Sequence, residues 1–263
     1  MSTSTETTRE SAAPATASAR GRSPQHPPGE TVRRDPAAAA ISDWLARIGA
    51  ASVIELAAAC GLSERVVAAR LRRCELAGLT HSARLLHGQP ALHALSARGL
   101  RAAGRAELEP VTFSASGFAH TLALARVALA LERAGTRVSG ERELRAFERL
   151  EGRALASAEV GMARDGGVAL HRPDLVCWGG QRPIAIEVEL TVKAPERLAT
   201  IIRGWARSRL VERVVYYATP AAERALARAV RSESAEGRVV VIELDRAGEL
   251  PVAGSTSSIP SGP

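Results

Sequence analysis

Lys193 is the only lysine in a chain whose 35 basic residues are otherwise all arginine. Arginine stays charged in a protein, whereas the compact ammonium of lysine can have its pKa tuned, so an amine kept at one position is a candidate for chemistry. It closes a segment rich in acid: Arg172-Pro173-Asp174 followed, after an apolar run, by Ile186-Glu187-Val188-Glu189-Leu190-Thr191-Val192-Lys193. Strands at about 172–178 and 183–190 are expected, each with acid at one end. Alternation puts Glu187, Glu189, Thr191 and Lys193 on one face if the second strand runs that far, with Asp174 beside them. Asp174 and Glu187, with the Val188 carbonyl, offer the hard oxygen ligands that Mg²⁺ takes. Such an ion lowers the pKa of a bound water and polarises a phosphate, and Lys193 is placed to neutralise the charge that develops. The candidate catalytic set is therefore Asp174, Glu187, Glu189 and Lys193, with Asp174 and Glu187 as metal ligands and no cofactor beyond Mg²⁺. The adjacent acids are expected to keep Lys193 charged. Glu141 or Glu143 is a further candidate carboxylate, and His120 reads as a capped or core histidine.

The elements that must hold these groups alternate. A helix at about 114–133 carries Leu124, Val127 and Leu131 at helical spacing, and Leu198, Ile202 and Trp205 form the inward stripe of a helix at 195–209. A strand at 211–219, a helix from Pro220 and a strand at 239–244 follow. Strand and helix in alternation predict an α/β unit with a central mixed sheet.

Upstream, Ile41, Trp44, Leu45 and Ile48 mark one helix, and Ile54, Leu56 and Ala57 a shorter second. Gly61-Leu62-Ser63 makes a break, Gly61 accepting positive φ and Ser63 capping a third helix whose inward face is Val67, Leu71 and Cys74. Two short strands around His87-Gly88-Gln89-Pro90 complete the unit. This order resembles the winged helix-turn-helix fold. The resemblance turns Arg65, Arg72 and Arg73 of the third helix, with Arg84 and His87 on the wing, toward the phosphates and groove edges of duplex DNA.

The chain has 263 residues, enough for one large or two ordinary domains. Net charge is +7 and the sequence pI about 10.4, a balance that favours an acidic partner. No apolar stretch approaches the about 20 residues that span a bilayer, and the N-terminus lacks the apolar core of a secretory signal, so no membrane partner and a cytoplasmic location are expected. Cys60, Cys74 and Cys177 lack metal-ligand spacing and read as small buried hydrophobes. The expected organisation is a disordered tail at 1–36, the winged-helix unit at 37–109, the α/β unit at 110–251 and a disordered tail at 252–263.

Pro173-Asp174 and Glu187-Val188-Glu189 resemble the motifs of the PD-(D/E)xK nuclease superfamily. Glu189 replaces the usual lysine, and Lys193 lies further along the same expected strand face. Residues 37–245 as a whole resemble the replication-relaxation family of mobile elements. The stretches that carry this likeness are the wing hairpin, His120 to Glu132, Glu141-Arg-Glu-Leu-Arg145, Arg172-Pro-Asp174 and Ile186 to Lys193. It implies an α+β chain overall, a winged helix followed by a restriction-endonuclease-like α/β domain, serving plasmid replication and DNA topology. Its partners would be double-stranded DNA, replication or mobilisation proteins and a second copy in a homodimer. Two alternatives stand beside this: an active Mg²⁺-dependent endonuclease or nickase, and a transcriptional regulator with a non-catalytic α/β domain.

Overall fold

The computed structural model describes residues 35–164 and 166–246. The tails expected to be disordered lie outside these residues, except that Asp35 and Pro36 begin the first helix. Asp35 accepts from the amides of Ala37 and Ala38, and Pro36 takes the first helical position where its missing N–H costs nothing. Helix α1 (Pro36–Ile48) leads through strand β1 (Ala50–Ala51) to α2 (Val53–Cys60), capped by Ser52 and ended by Gly61 in the left-handed region (φ 64°). Ser63 then caps α3 (Glu64–Leu76), whose buried face is Val67, Leu71 and Cys74. Strands β2 (Thr80–Ala83) and β3 (Leu92–Leu95) follow, and the three strands form an antiparallel sheet in the order β1-β3-β2. The expected join near 99–110 contains a short helix of its own, α4 (Ala97–Ala102).

Helix α5 (Phe118–Arg133) opens the second part of the chain. It is followed by β4 (Arg137–Gly140), α6 (Glu141–Glu151), the hairpin β5 (Ala158–Met162) and β6 (Val168–His171), β7 (Leu175–Trp178) and β8 (Ile184–Glu189). Then come α7 (Pro195–Arg207), β9 (Arg213–Ala218), α8 (Pro220–Ser232) and β10 (Val239–Glu243). The central sheet has the order β10-β9-β8-β7-β4 and is mixed: β8, β9 and β10 are parallel, and β7 runs antiparallel to β8 and β4. Among the described residues, no helix is long and apolar enough to cross a membrane.

Each strand sends alternate residues to opposite faces. Leu175, Cys177, Ile186, Val188, Val215 and Tyr217 pack with α5 and with Ile41, Trp44, Leu45, Leu56 and Val67 of the first three helices. Val176, Ala185, Val214 and Tyr216 pack on the other face with Leu198, Ile202 and Trp205 of α7 and Ala222 and Leu226 of α8. The first core runs without interruption from α1 to the central sheet. Charges clamp its rim: Glu132 of α5 accepts from Trp44 Nε1 at 2.8 Å and pairs with Arg47, and Arg126 meets the buried Glu55 at 3.2 Å. Where β4 passes the end of α1 the backbones nearly touch, and a Cβ on Gly140 would lie 2.6 Å from the Arg47 carbonyl oxygen.

Candidate functional site

The strand expected at about 172–178 starts later, at Leu175, and a separate short strand precedes it. Val168–His171 pairs with β5, Leu175–Trp178 pairs with β8, and Arg172-Pro173-Asp174 connects them. Pro173 has no N–H to extend a ladder, which accounts for the break. Asp174 stands one step beyond the Leu175–Ile186 pair, opposite Glu187. Its Oδ2 accepts the Val188 N–H at 2.8 Å, and its carbonyl accepts the Glu141 N–H at 3.0 Å, the first amide of α6. His120, in the first turn of α5, brings Nε2 to 3.3 Å from the same Oδ2. That hydrogen bond raises the His120 imidazole above its ordinary value against the opposing effect of burial.

Glu187 is buried and stands beside Tyr216 in the parallel pairing of β8 with β9. Its Oε1 lies 2.7 Å from His171 Nε2, and the His171 ring meets the edge of Trp205. Burial pushes the Glu187 carboxyl up, with the His171 hydrogen bond and charge pulling the other way. Burial disfavours the His171 imidazolium, but the hydrogen bond and charge of Glu187 outweigh it and leave the ring above its ordinary value. Tyr216, buried in the same cluster, has its phenol pushed well above its usual range by burial.

Lys193 does not sit on a strand. Strand β8 ends at Glu189, where Thr219 ties down the carbonyls of Glu189 (N–H, 3.1 Å) and Leu190 (Oγ1, 3.0 Å) before Pro195 starts α7. The amine turns back to contact Glu189. The adjacent acids Glu187 and Asp174 favour the charged form of Lys193, while burial, with Arg197, outweighs them and lowers its pKa below the ordinary value. Of the upstream acids, Glu143 is buried against Arg105 at 2.5 Å, whereas Glu141 pairs with Arg145 at the start of α6 next to Asp174.

Asp174, Glu187, Glu189 and Lys193 thus gather at one end of β7 and β8. One oxygen of each expected metal ligand is already held, Asp174 by Val188 and His120, Glu187 by His171. Among the described residues, no group of three or more His, Cys, Asp or Glu side chains is arranged to hold a metal ion. The remaining candidates lie far along the chain, on the first three-stranded unit: Arg65, Arg72 and Arg73 are exposed on α3, and Arg84 and His87 are exposed at the β2–β3 turn, which Arg84 closes by donating to the Gln89 carbonyl at 3.0 Å. Cys74 and Cys177 are buried, Cys60 is half-buried, and burial pushes the Cys177 thiol up to about 12.

No protein-family model matches the chain, and no curated protein matches it.

Three further residues belong to the site: His171 and Glu148 lie outside the motifs, and the sequence reads His120 only as a capped or core histidine. His120 and His171 reach it from a helix and from the neighbouring hairpin, and Glu148 supports it from behind. Glu148 is buried on α6; its Oε1 accepts from Ser157 Oγ (2.6 Å) and the Leu155 amide (3.0 Å), and its Oε2 from Arg172 Nε (2.8 Å), fixing the residue two positions before Asp174. The placement of His171 directly before Arg172-Pro173-Asp174 was the one available signal.

Two outcomes follow from this geometry. Asp174→Ala leaves the Val188 N–H without its acceptor, a loss of about 1–3 kcal/mol, whereas Asp174→Asn keeps an oxygen in place. Urea unfolding should show the alanine variant clearly less stable than the asparagine one, and equal losses would show that the charge, not the acceptor, matters. Second, a histidine raised in the fold contributes stability that is complete below its unfolded value of about 6.5 and is lost as pH rises through the folded value. His120 and His171 are both raised, so the urea midpoint should fall above about pH 6.5. His171→Asn should flatten that decline, and an unchanged profile would mean that the ring is neutral beside Glu187.

Proposed function

We propose that this chain is a DNA-binding protein of a plasmid or other mobile element, of the replication-relaxation type, in which a winged helix (37–109) delivers a nuclease-like α/β domain (110–251) to duplex DNA in the cytoplasm. The observation that carries this reading is the outer face of α3. Its inner face is spent on the core, and Arg65, Arg72 and Arg73 stand exposed without a hydrogen bond or ion pair among the described residues. The α-β-α-α-β-β order, with antiparallel β2 and β3 ending in a turn that carries Arg84 and His87, supports a recognition helix and a wing. The +7 charge suits a polyanion. Replication or mobilisation proteins and a second copy of the chain are the further partners proposed.

Each arginine that neutralises a phosphate should contribute about 0.9 to the slope of log affinity against log salt. The full chain should bind duplex DNA with affinity that falls steeply as salt rises, and Arg72→Gln should lower the slope by about one across unrelated sequences. A protein that shows no salt-dependent shift with any duplex would move the α3 face to protein contacts and the chain to the regulator reading.

Metal-dependent nicking is the second reading, favoured by the gathering of Asp174, Glu187, Glu189 and Lys193 at one strand end. Asp174 and Glu187 carry the hard oxygens a Mg²⁺ would need, and such an ion supplies Lewis acidity toward a phosphate. The chain's own contribution is positional. Val188 N–H and His120 fix the Asp174 carboxylate, His171 orients Glu187, and Lys193 holds a positive charge within reach of both acids. Supercoiled plasmid incubated with Mg²⁺ or Mn²⁺ should then be nicked by the parent and not by Asp174→Asn or Lys193→Ala. If the parent leaves supercoiled, linear and branched DNA intact, the domain binds without cutting; if Lys193→Arg nicks as fast as the parent, charge alone is needed at 193.

A further inference from the structure

Helix α8 turns Ala222, Ala225, Leu226 and Val230 into the core, and the helical repeat leaves Arg224, Arg228 and Arg231 in line on its exposed side. None of the three guanidinium groups has a hydrogen bond or ion pair among the described residues. Glu233, at the end of α8, is gripped by Nε and Nη2 of Arg203, each at 2.8 Å, while Glu196 shares a cleft with Arg228. Exposed arginines are common on helices, and alone they need no explanation. Here, however, Arg228 lines a cleft of about 410 Å³ between α7 and α8, and the same cleft is lined by Lys193, the amine that touches Glu189. The positive stripe therefore runs up to the edge of the acidic cluster.

We infer that the α8 stripe is a second nucleic-acid surface, which holds the phosphate backbone of one strand and leads it across the α7–α8 cleft to Lys193. Resting on the DNA-binding reading above, the inference adds a contact remote in sequence from α3 and names the path by which DNA meets the carboxylates. From Arg224 to Arg231 the helix rises about 10 Å, and phosphates of one strand succeed each other every 3.4 Å or so along the duplex, so the stripe spans about three of them. Its chemistry points to a phosphate backbone over the other polyanionic partners. A membrane-surface helix needs a broad apolar face opposite its charges, and the apolar face of α8 is buried in the core. A protein partner is gripped mainly by aromatic and apolar anchors; beside these arginines the exposed positions of α8 are Ala221 and Ser232, and the cleft adds one exposed apolar side chain, Val192. The carboxylates at the end of β8 repel a strand by themselves, so a strand that reaches them needs positive charge along its approach.

The test compares two full-length variants, Arg224→Gln/Arg228→Gln/Arg231→Gln and Arg65→Gln/Arg72→Gln/Arg73→Gln, by anisotropy of a fluorescein-labelled 30-base-pair duplex (a length of about this size) across a salt series. All six positions are exposed, and circular dichroism checks that each variant is folded. The α8 variant should lower the salt slope by about 2–3, and Arg→Lys at the same three positions should restore most of it, since phosphate contacts need charge more than shape. If the α8 variant keeps the parent slope while the α3 variant loses affinity, the second surface is wrong and the DNA-binding reading stands. If the parent itself binds no duplex at low salt, both fall together.

Discussion

Asp174 is a three-way junction, and the arrangement of the second half of the chain depends on it. Its carbonyl receives the first amide of α6, its carboxylate receives the Val188 N–H of β8, and the same oxygen faces His120 of α5. A carboxylate can do this because it accepts several hydrogen bonds and carries the charge that strengthens each one. Pro173, just before Asp174, has no N–H to donate to a neighbouring strand. At this point the Val188 amide takes its acceptor from a side chain. An unpaired buried amide is costly, which makes this bond a structural requirement of the sheet as well as a feature of the candidate site.

The buried acids each find a partner for at least one oxygen, though Glu143 Oε2 has none among the described residues. Glu148 gathers Arg172 and the 155–157 turn, Glu143 meets Arg105, Glu187 meets His171, and Glu55 meets Ser52 and Arg126. Charges taken from water cost several kcal/mol each in order of magnitude unless paired, so each pair fixes the relative placement of the elements that supply it. Glu55–Arg126 joins α2 to α5, Glu143–Arg105 joins the segment after α4 to α6, and with the Glu132 contacts the first of these borders one continuous apolar core. The outer face of α3 is consequently held in a set relation to the central sheet and to the carboxylates at its end.

Charge is distributed with a matching logic. The buried acids lie at the end of β8 and on the inner faces of α2 and α6, while exposed arginines without a side-chain partner among the described residues stand on the outer faces of α3 and α8. Lys193 stands at the boundary between the two. Burial draws its pKa down while Glu187 and Asp174 draw it up, and the net direction is down.

Periodicity alone was enough for the helices of the first unit, for α7 and for the alternating strands of a mixed sheet, because apolar spacing reports directly which face of an element meets the core. Capping chemistry was equally local: Ser63 stands where a helix start needs it, though the Asp35-Pro36 start of α1 lies two residues before the expected boundary. The gathering of Asp174 with Glu187 was also foreseeable, since a hairpin of two strands brings their ends together. Other features depended on contacts across the fold. Helix α6 is polar over most of its length and shows its inward face only when Glu143 and Glu148 find Arg105 and Arg172. The strand expected at about 183–190 ends at Glu189, short of Lys193, where Thr219, thirty positions on, binds the backbone. His120 and His171 became site residues only through packing of α5 and of the β5–β6 hairpin, since a histidine's role is set by the partner opposite it and no local pattern specifies that partner.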